Sequence, residues 1–433
     1  MCTVLFLGAF LCTHYYTLPW GLTVVSHERV IIAGSRVIKA DNSSDLIKDY
    51  LSQGDVLVSN YTTKGDVPLF TSKVLTSQPV PNVARATPTD PLTCEKKFDV
   101  SFLKVHKAGS TTIMNIFLRF AIEHDLNIVL PSKSEGYGFN YLGYGNTLYK
   151  DRIVPLPENE TYNILCNHVV YNKEAFRSIL PNDTEYVGIL REPASHFVSA
   201  ASYYGFYKSL LRAVSADGIT SPVTRYLQNP TQYTLGTGYV KNRMSFDFGI
   251  PKDKFTDEQY LNEYIKELDT DYGLVMVMER FHESLVLLKR LLCWSTKDIL
   301  YVPLNARKAG PDFRLSESDK ILLKNYNNAD FKLYDHFKAK FDANVESLGE
   351  DFQNEVVSFV KTQDMVAKFC LQVMDLQDNG GPTMQISGTK WSAAFSVTVH
   401  DCKLMTESEL PMMKRLIETA WYKYNRSLPV KPS

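Results

Sequence analysis

The sequence lacks several features that would assign it to a common class. Its 7 cysteines include no C-x-x-C pair, and no cluster of His, Asp and Glu has metal-ligand spacing, so a zinc site is not expected. A formal net charge of -1 excludes a general attraction to nucleic acid, so any affinity for anions must be local. The G-x-x-x-x-G-K-[ST] order of a triphosphate-binding loop is also absent, which disfavours an ordinary kinase.

Charge is missing from the N-terminus as well. The first 27 residues contain no Asp, Glu, Lys or Arg, and the apolar run 3–25 approaches the roughly 20 residues needed to span a bilayer. We therefore expect a signal-anchor over residues 1–26. His14 and Pro19 in mid-segment, with no basic residue before Cys2, leave a cleaved signal, an incomplete N-terminus or a soluble apolar end as alternatives.

Composition shifts divide the rest of the chain. A Pro-, Ser- and Thr-rich end marks residues 27–93 as a stem, 94–374 as the catalytic domain and 375–433 as a C-terminal appendage of uncertain structure. If the body lies in an oxidising lumen, up to two disulfides are expected with one thiol left over, in pairings that spacing does not reveal. The cysteines concerned are Cys94, Cys166, Cys293, Cys370 and Cys402.

Short apolar runs alternate with longer amphipathic segments after Cys94. This alternation is typical of a parallel sheet covered by helices, an α/β fold. Ser316 and Ser318 are candidate N-caps for one of the helices, and 375–389 is predicted as a loop. The predicted strands are 98–105, 162–166, 186–190, 273–278 and 299–302, and the predicted helices are 111–124, 194–204, 257–268, 282–292, 317–325 and 330–348.

The segment between the first predicted strand and helix has the residues of an anion-binding loop. Backbone N–H groups and the dipole of a helix N-terminus favour negative charge, and Lys107 adds an ammonium group. Gly109 permits close backbone approach. The alternative is a plain helix cap with a solvated lysine. Hydroxyl donors follow at Ser110, Thr111 and Thr112.

A second cationic element follows another predicted strand. Arg191 comes at the end of strand 186–190, and Ser199 lies two turns along the next helix. An arginine can bind a phosphate with two hydrogen bonds, so this element suits a second phosphate. His196, between them, is expected on the helix surface.

Together these segments resemble the galactose 3-O-sulfotransferase family of Golgi enzymes. The resemblance rests on LKVHKAGSTTIMNIFLRFA, CNHVVYN, ILREPASHFVSAASYY, SFDFG and LVMVMERFHESLVLLKRLLCW followed by LYVPLNARK. It implies a three-layer, P-loop-like sulfotransferase fold with a central parallel sheet flanked by helices, and 3′-phosphoadenosine-5′-phosphosulfate as cosubstrate. It also implies a type II Golgi membrane protein with a luminal catalytic domain. By this resemblance the 5′-phosphosulfate is held by Lys107, Ser110, Thr111 and Thr112, and the 3′-phosphate by Arg191 and Ser199.

Sulfuryl transfer needs a base for the acceptor hydroxyl and a cation for the leaving oxygen. Lys107 is the predicted cation. His168 is the predicted base, because it follows strand 162–166 at the sheet edge where α/β proteins bind ligands and a histidine pKa suits proton transfer. His106 is the rival, with a positioning or acceptor-contact role preferred. A structural histidine is the alternative for His168.

Other residues are predicted with less specific roles. Arg307 and Lys308 are candidate contacts to the 3′-phosphate or an anionic acceptor, although solvated surface charge is as good an interpretation. Asp247 is expected to orient an acceptor hydroxyl or a basic residue. The predicted activity is sulfation of the 3-hydroxyl of a terminal galactose on a galactosylceramide-like glycolipid or a glycan, without a metal. The alternatives are another sugar hydroxyl or a non-catalytic glycan-binding protein.

Overall fold

The computed structural model describes residues 94–132, 141–143, 145–214, 221–303, 313–377 and 381–428, together with the backbone of four short strands nearer the N-terminus. The chain divides into two compact units. One comprises Met1–Thr63 with Asn305–Gly310, and the other comprises Lys64–Leu304 with Pro311–Ser433.

The first unit contains an antiparallel sheet in the order β1-β2-β3-β4. These strands fall within the segments predicted as anchor and stem, and all other residues of both segments lie outside the described residues. The anchor, the stem and the domain boundaries therefore stay predictions. None of the helices that the structure describes is both long and apolar enough to cross a membrane. The strands are β1 Tyr15–Thr17, β2 Leu22–Val25, β3 Val30–Ala33 and β4 Arg36–Lys39.

The second unit is built on a parallel sheet in the order β6-β5-β7-β8. All three neighbouring pairs are parallel, and every residue of β5 and β8 is buried, as expected for a sheet covered on both faces. The predicted α/β fold with a central parallel sheet is confirmed. The strands are β5 Val100–Phe102, β6 Ile164–Leu165, β7 Glu185–Leu190 and β8 Leu274–Val277.

Helices cover this sheet and bury their apolar faces against it. Phe117 of the helix after β5 stacks on Phe102 with ring centroids 5.3 Å apart, and Phe120 stacks on Trp294 at 3.7 Å. The helices are α1 Ser110–Glu123, α2 Lys173–Arg177, α3 Pro193–Tyr203, α4 Phe206–Ala213, α5 Pro222–Gln228, α6 Arg243–Asp247, α7 Glu258–Asp271, α8 Phe281–Leu292, α9 Glu317–Tyr326, α10 Asn328–Val373, α11 Val399–Thr406 and α12 Glu409–Ser427.

The predicted strand at 299–302 is wrong. These residues are buried, but they form a loop without sheet pairing. Gln363 of α10 provides the missing partners, since its side-chain oxygen accepts from the Tyr301 N–H at 3.1 Å and its amide nitrogen donates to the Tyr301 carbonyl. The Gln363 side chain thus makes the backbone hydrogen bonds that a neighbouring strand would otherwise make. The apolar pattern of a buried loop is the same as that of a buried strand, so sequence alone cannot distinguish the two.

Two helix predictions are refined. Ser316 is the N-cap of α9, in a capping box with Asp319. The sequence pattern predicts that the helix now labelled α10 ends at 348, but it is interrupted at Gly349, with φ 64°, and then continues to Val373. The conformational freedom of glycine allows the break without ending the helix.

The C-terminal segment packs into the same core as the sheet. A hairpin of β9, Met384–Ile386, and β10, Phe395–Val397, lies partly within the predicted loop and precedes α11 and α12. The side chains of Val397 and Met412 are completely buried. Disulfides join Cys94 to Cys293 and Cys370 to Cys402, and Cys166 is a buried free thiol. The expected number is confirmed, and the pairings are new.

Candidate functional site

The site lies where three neighbouring strands end. Strand β5 has β6 on one side and β7 on the other, so the chain reverses its direction of progress through the sheet at β5. Ligands of open α/β sheets bind at the carboxyl ends of strands at such a point. The loop after β5 carries His106 and Lys107, His168 follows β6, and Arg191 follows β7. The sheet therefore collects the predicted residues at one edge.

The loop after β5 is shaped as an anion-binding turn. Lys107 and Gly109 have positive φ values of 56° and 74°, and Gly109 is the N-cap of α1. Gly109 provides no side-chain cap, so backbone N–H groups at the start of α1 are available to a ligand. A Cβ at Gly109 would lie 2.3 Å from the sulfur of Met278.

The hydroxyl groups of this loop differ in position. Ser110 is buried and its hydroxyl donates to the Val105 carbonyl at 2.6 Å, which closes the turn. Contact of Ser110 with an anion would therefore use its backbone N–H. Thr111 and Thr112 are only half-buried on the first turn of α1. Their assignment to a ligand stays a prediction.

The two predicted cationic elements are neighbours. A terminal guanidinium nitrogen of Arg191 donates to the Lys107 carbonyl at 3.3 Å, and the Lys107 ammonium lies 3.7 Å from the centre of the Tyr203 ring. Ser199 is half-buried on α3. Glu192 already caps α3 by accepting from backbone N–H groups, so an anion here would depend on side chains more than on that helix terminus.

A buried charge cluster holds His106. The Asp247 carboxylate accepts from the His106 backbone N–H at 2.9 Å and lies 2.8 Å from its Nδ1. Arg243 donates to the same carboxylate at 2.6 Å. Burial alone would raise the pKa of Asp247, but the charges of Arg243 and His106 lower it to about 2. Asp247 thus orients basic residues, one of its two predicted roles.

His168 stacks directly on His106. The ring centroids are 3.9 Å apart and the planes are inclined by 19°. His168 Nδ1 lies 2.8 Å from the Lys104 carbonyl, which assigns the proton to Nδ1 and leaves the lone pair on Nε2. Burial, together with the positive charges of the neighbourhood, places the pKa of His168 well below its ordinary value. Burial also lowers the pKa of His106, against the opposing effect of Asp247. Both rings are therefore neutral near pH 7.

Half-buried tyrosines border the histidine pair. The Tyr141 hydroxyl lies 3.2 Å from Nε2 of His106, and the Tyr141 ring stacks on His168. Tyr204 and Tyr239 stack on each other with centroids 4.0 Å apart. Apolar ring faces next to hydrogen-bonding groups are suited to a sugar, which presents both C–H and O–H surfaces.

The prediction that His196 lies on the surface is wrong. His196 is completely buried, and its Nε2–H donates to the His106 carbonyl at 2.8 Å. Burial lowers its pKa to about 3, so it is neutral. The helix carrying it buries Phe197 and Ala200 in a cluster separate from the sheet core, and a polar residue in such a helix looks exposed unless its buried partner is known.

Sequence reasoning missed Arg243 and gave no physical account of the segment 246–249. Phe248 packs against Gly188 of β7, where a Cβ would lie 2.7 Å from the phenylalanine ring. Gly249 has φ 91°, and a Cβ there would lie 2.4 Å from the Tyr171 carbonyl oxygen. The sequence does contain one signal for this pair: an Arg and an Asp stand four residues apart in a largely apolar segment, the spacing of an ion pair on one helix face.

Two further predictions concern the residues Arg307 and Lys308 and the question of a metal site. Arg307 and Lys308 lie outside the described residues, so their roles stay predictions. In the part of the chain that the structure describes, no group of His, Cys, Asp or Glu is arranged to hold a metal ion.

The fold and site define an α/β protein with an uncapped helix start suited to an anion at the carboxyl ends of its parallel strands, and with basic and histidine side chains suited to group transfer. A family model described as galactose-3-O-sulfotransferase matches residues 47–387. This is more than half of the chain, so the chain belongs to the galactose-3-O-sulfotransferase family. It is accordingly a sulfotransferase, and an enzyme.

Individual relatives agree with this assignment. The chain is 32% identical over 346 residues to human galactosylceramide sulfotransferase, covering 76% of this chain and 80% of that protein. It is 34% identical over 278 residues to human galactose-3-O-sulfotransferase 2, covering 63% and 68%. The pig galactose-3-O-sulfotransferase 2 is 30% identical over 353 residues, covering 77% and 85%.

Proposed function

We propose that this protein transfers the sulfuryl group of 3′-phosphoadenosine-5′-phosphosulfate to the 3-hydroxyl of a terminal galactose on a glycolipid or glycan. Family membership supports sulfuryl transfer, and the names of the relatives support a galactose acceptor. One observation carries the proposal. An anion-binding loop, a second cation and a neutral histidine follow three adjacent parallel strands and so share one edge of the sheet.

The donor fits the residues after β5 and β7. The uncapped start of α1 offers N–H donors for the sulfate and 5′-phosphate, and Gly109 leaves room for close approach. Arg191 lies in the neighbouring loop after β7 and donates a hydrogen bond to the Lys107 carbonyl, so it offers a second cation next to the Lys107 loop. In this proposal the 5′-phosphosulfate is held by Lys107, Gly109, Ser110, Thr111 and Thr112, and the 3′-phosphate by Arg191 and Ser199.

The transfer is an in-line displacement at sulfur. The acceptor oxygen forms a bond to sulfur while the bond from sulfur to the bridging oxygen breaks, and that electron pair stays on the 5′-phosphate. Lys107 stabilises the charge that develops on this oxygen. His168 Nε2 takes the proton of the acceptor hydroxyl. The products are a sulfate ester and adenosine 3′,5′-bisphosphate.

His168 suits the base better than His106 does. Its Nδ1–H is used by the Lys104 carbonyl, so Nε2 has a free lone pair, and burial keeps the ring neutral at pH 7. His106 is held by Asp247 and Arg243, and its Nε2 faces the Tyr141 hydroxyl. We assign His106 to positioning His168 and the acceptor.

The proposed location is the Golgi membrane, with one N-terminal span and a luminal catalytic domain. The two disulfides support an oxidising compartment. Protease treatment of sealed Golgi vesicles tests this topology. The catalytic domain should resist digestion until detergent opens the vesicles, and digestion without detergent would contradict the proposal.

The activity is tested with the full-length protein in detergent, ³⁵S-labelled donor and a panel of galactose-terminated lipids and oligosaccharides. We expect label on galactose, and none on the matched acceptor whose galactose 3-hydroxyl is methylated. Label that persists on the methylated acceptor would favour another hydroxyl. Donor binding without transfer to any acceptor would favour a non-catalytic glycan-binding protein.

A further inference from the structure

A buried lysine is hydrogen-bonded through its backbone carbonyl to the proposed base. Lys104 lies two residues after β5, in the mostly apolar sequence VSFLKV, and only 1% of its surface is exposed. A buried ammonium group is costly unless it is paired. Its partner in an ion pair is Glu409, the first residue of α12.

The partner comes from a distant part of the chain. Glu409 is 305 positions from Lys104 and lies beyond residues 47–387, where the family model matches. The C-terminal helices α11 and α12 are also attached to the rest of the second unit by contacts that do not involve Glu409. Cys402 of α11 is joined to Cys370 of α10, and the Leu404 carbonyl accepts from Asn115 of α1 at 3.0 Å.

We propose that Glu409 is a positioning residue of the active site, which holds Lys104 so that the Lys104 carbonyl keeps the His168 ring in place. The backbone of Lys104 accepts the Nδ1–H of His168 at 2.8 Å, while the side chain is held by Glu409. The C-terminal helices thereby become part of the catalytic unit. The inference rests on the proposed role of His168 as the base.

The charge of Lys104 also acts on the histidine. The groups that face His168 are Lys104 and His106 from the loop after β5, Arg243 from α6, and the Tyr141 ring. Burial has the largest effect in lowering the pKa of His168, and the charges of His106, once that ring is protonated, and of Lys104 and Arg243 lower it further. Asp247 and Glu409 partly offset Arg243 and Lys104, since each is paired with one of them. The two members of the Lys104–Glu409 pair should thus have opposite effects on His168.

The test compares Lys104→Met, Glu409→Gln and Glu409→Asp in the full-length protein. In Lys104→Met, we expect the pKa of His168 followed by NMR, and the acid limb of the kcat profile, to rise by about one unit because a positive charge is lost. In Glu409→Gln, we expect about tenfold slower transfer with an unchanged donor KM and no rise in this pKa. Glu409→Asp, which keeps the charge, should recover most of the rate.

The control variant is Lys423→Met. It breaks another ion pair of α12, to Asp125, which follows the far end of α1, about 20 Å along that helix from the Lys107 loop. We expect it to leave the rate and the His168 titration unchanged. An unmoved His168 pKa in Lys104→Met, or normal kcat in Glu409→Gln, would overturn the inference. Absence of transfer by the unmodified protein would instead contradict the proposed function, and the NMR titration would still decide the role of Lys104.

Discussion

The donor side and the histidine side of the site are built in different ways. On the proposed donor side, consecutive residues from Lys107 to Thr112 form a turn that leads into the uncapped start of α1, where backbone N–H groups would do much of the proposed binding. On the histidine side, side chains far apart in the chain are held in a buried cluster, for example His106 and Asp247, 141 positions apart. In the proposed mechanism, donor binding therefore depends on local conformation, whereas proton transfer depends on the assembled core. Substitutions on the two sides should therefore have separable effects on binding and on transfer.

The largest effect is expected on the histidine side. His168→Ala should slow transfer by about 10³-fold because the base is lost, while donor affinity stays unchanged. Transfer rates and equilibrium binding of adenosine 3′,5′-bisphosphate measure the two quantities. His336→Ala is the control, since His336 faces Asp269 near the helix end that leads into the amino end of β8. A His168 variant with normal kcat would remove it from the mechanism.

A smaller effect on rate, joined to weaker binding, is expected on the donor side. Lys107→Ala should reduce kcat by about 10²-fold and donor affinity by about tenfold, because the ammonium contacts the donor before and during transfer. Lys208→Ala is the control, on an exposed position of α4. If Lys107→Ala reduces kcat without changing affinity, the contrast between the two sides is less sharp than proposed.

Asp247→Asn should affect the histidine side through positioning. We expect about tenfold slower transfer with unchanged donor affinity, and a loss of about 3 kcal/mol in the free energy of unfolding at pH 7, because Arg243 keeps a buried charge without its anionic partner. The same substitution at Asp257, in an exposed ion pair with Lys254, should change neither the transfer rate nor the free energy of unfolding. Equal destabilisation by both variants would argue against a special role for the buried cluster.

The pH dependence of Asp247 has a defined sign. Its folded pKa of about 2 lies below the ordinary value of 3.8, so its charge stabilises the fold above pH 3.8 and this contribution is lost as pH falls towards 2. Urea unfolding of the unmodified protein between pH 5 and pH 2 should show the loss. Asp247→Asn should show a smaller decrease over the same interval.

The smallest effect on transfer is expected at His196, which acts on stability. Its folded pKa of about 3 lies below the ordinary 6.5, so stability is greatest above pH 6.5 and falls as the pH drops from 6.5 towards 3. His196→Gln should reduce this dependence and leave kcat within about threefold of normal. Urea unfolding at pH 7 and pH 5 measures the effect, and an unchanged pH dependence would contradict it.

Local patterns predicted much of the fold because apolar periodicity reports burial directly. They located the four strands of the parallel sheet and six of the twelve helices that the structure describes, with shifted ends. They failed at 299–302, where the buried loop is satisfied by Gln363 from another helix. They also failed at His196, whose partner is a backbone carbonyl 90 positions away. In both cases the hydrogen bond joins residues that are far apart in the sequence, so a pattern read over a short stretch of sequence cannot reveal it.

The sequence by itself determined the parallel α/β architecture, the Lys107 turn and the candidates Arg191 and His168, because each depends on residues adjacent in the chain. Only the tertiary structure decided which histidine has a free Nε2, that Asp247 and Arg243 hold His106, and that Glu409 reaches Lys104. These depend on contacts between distant segments, whose geometry is set when the core packs.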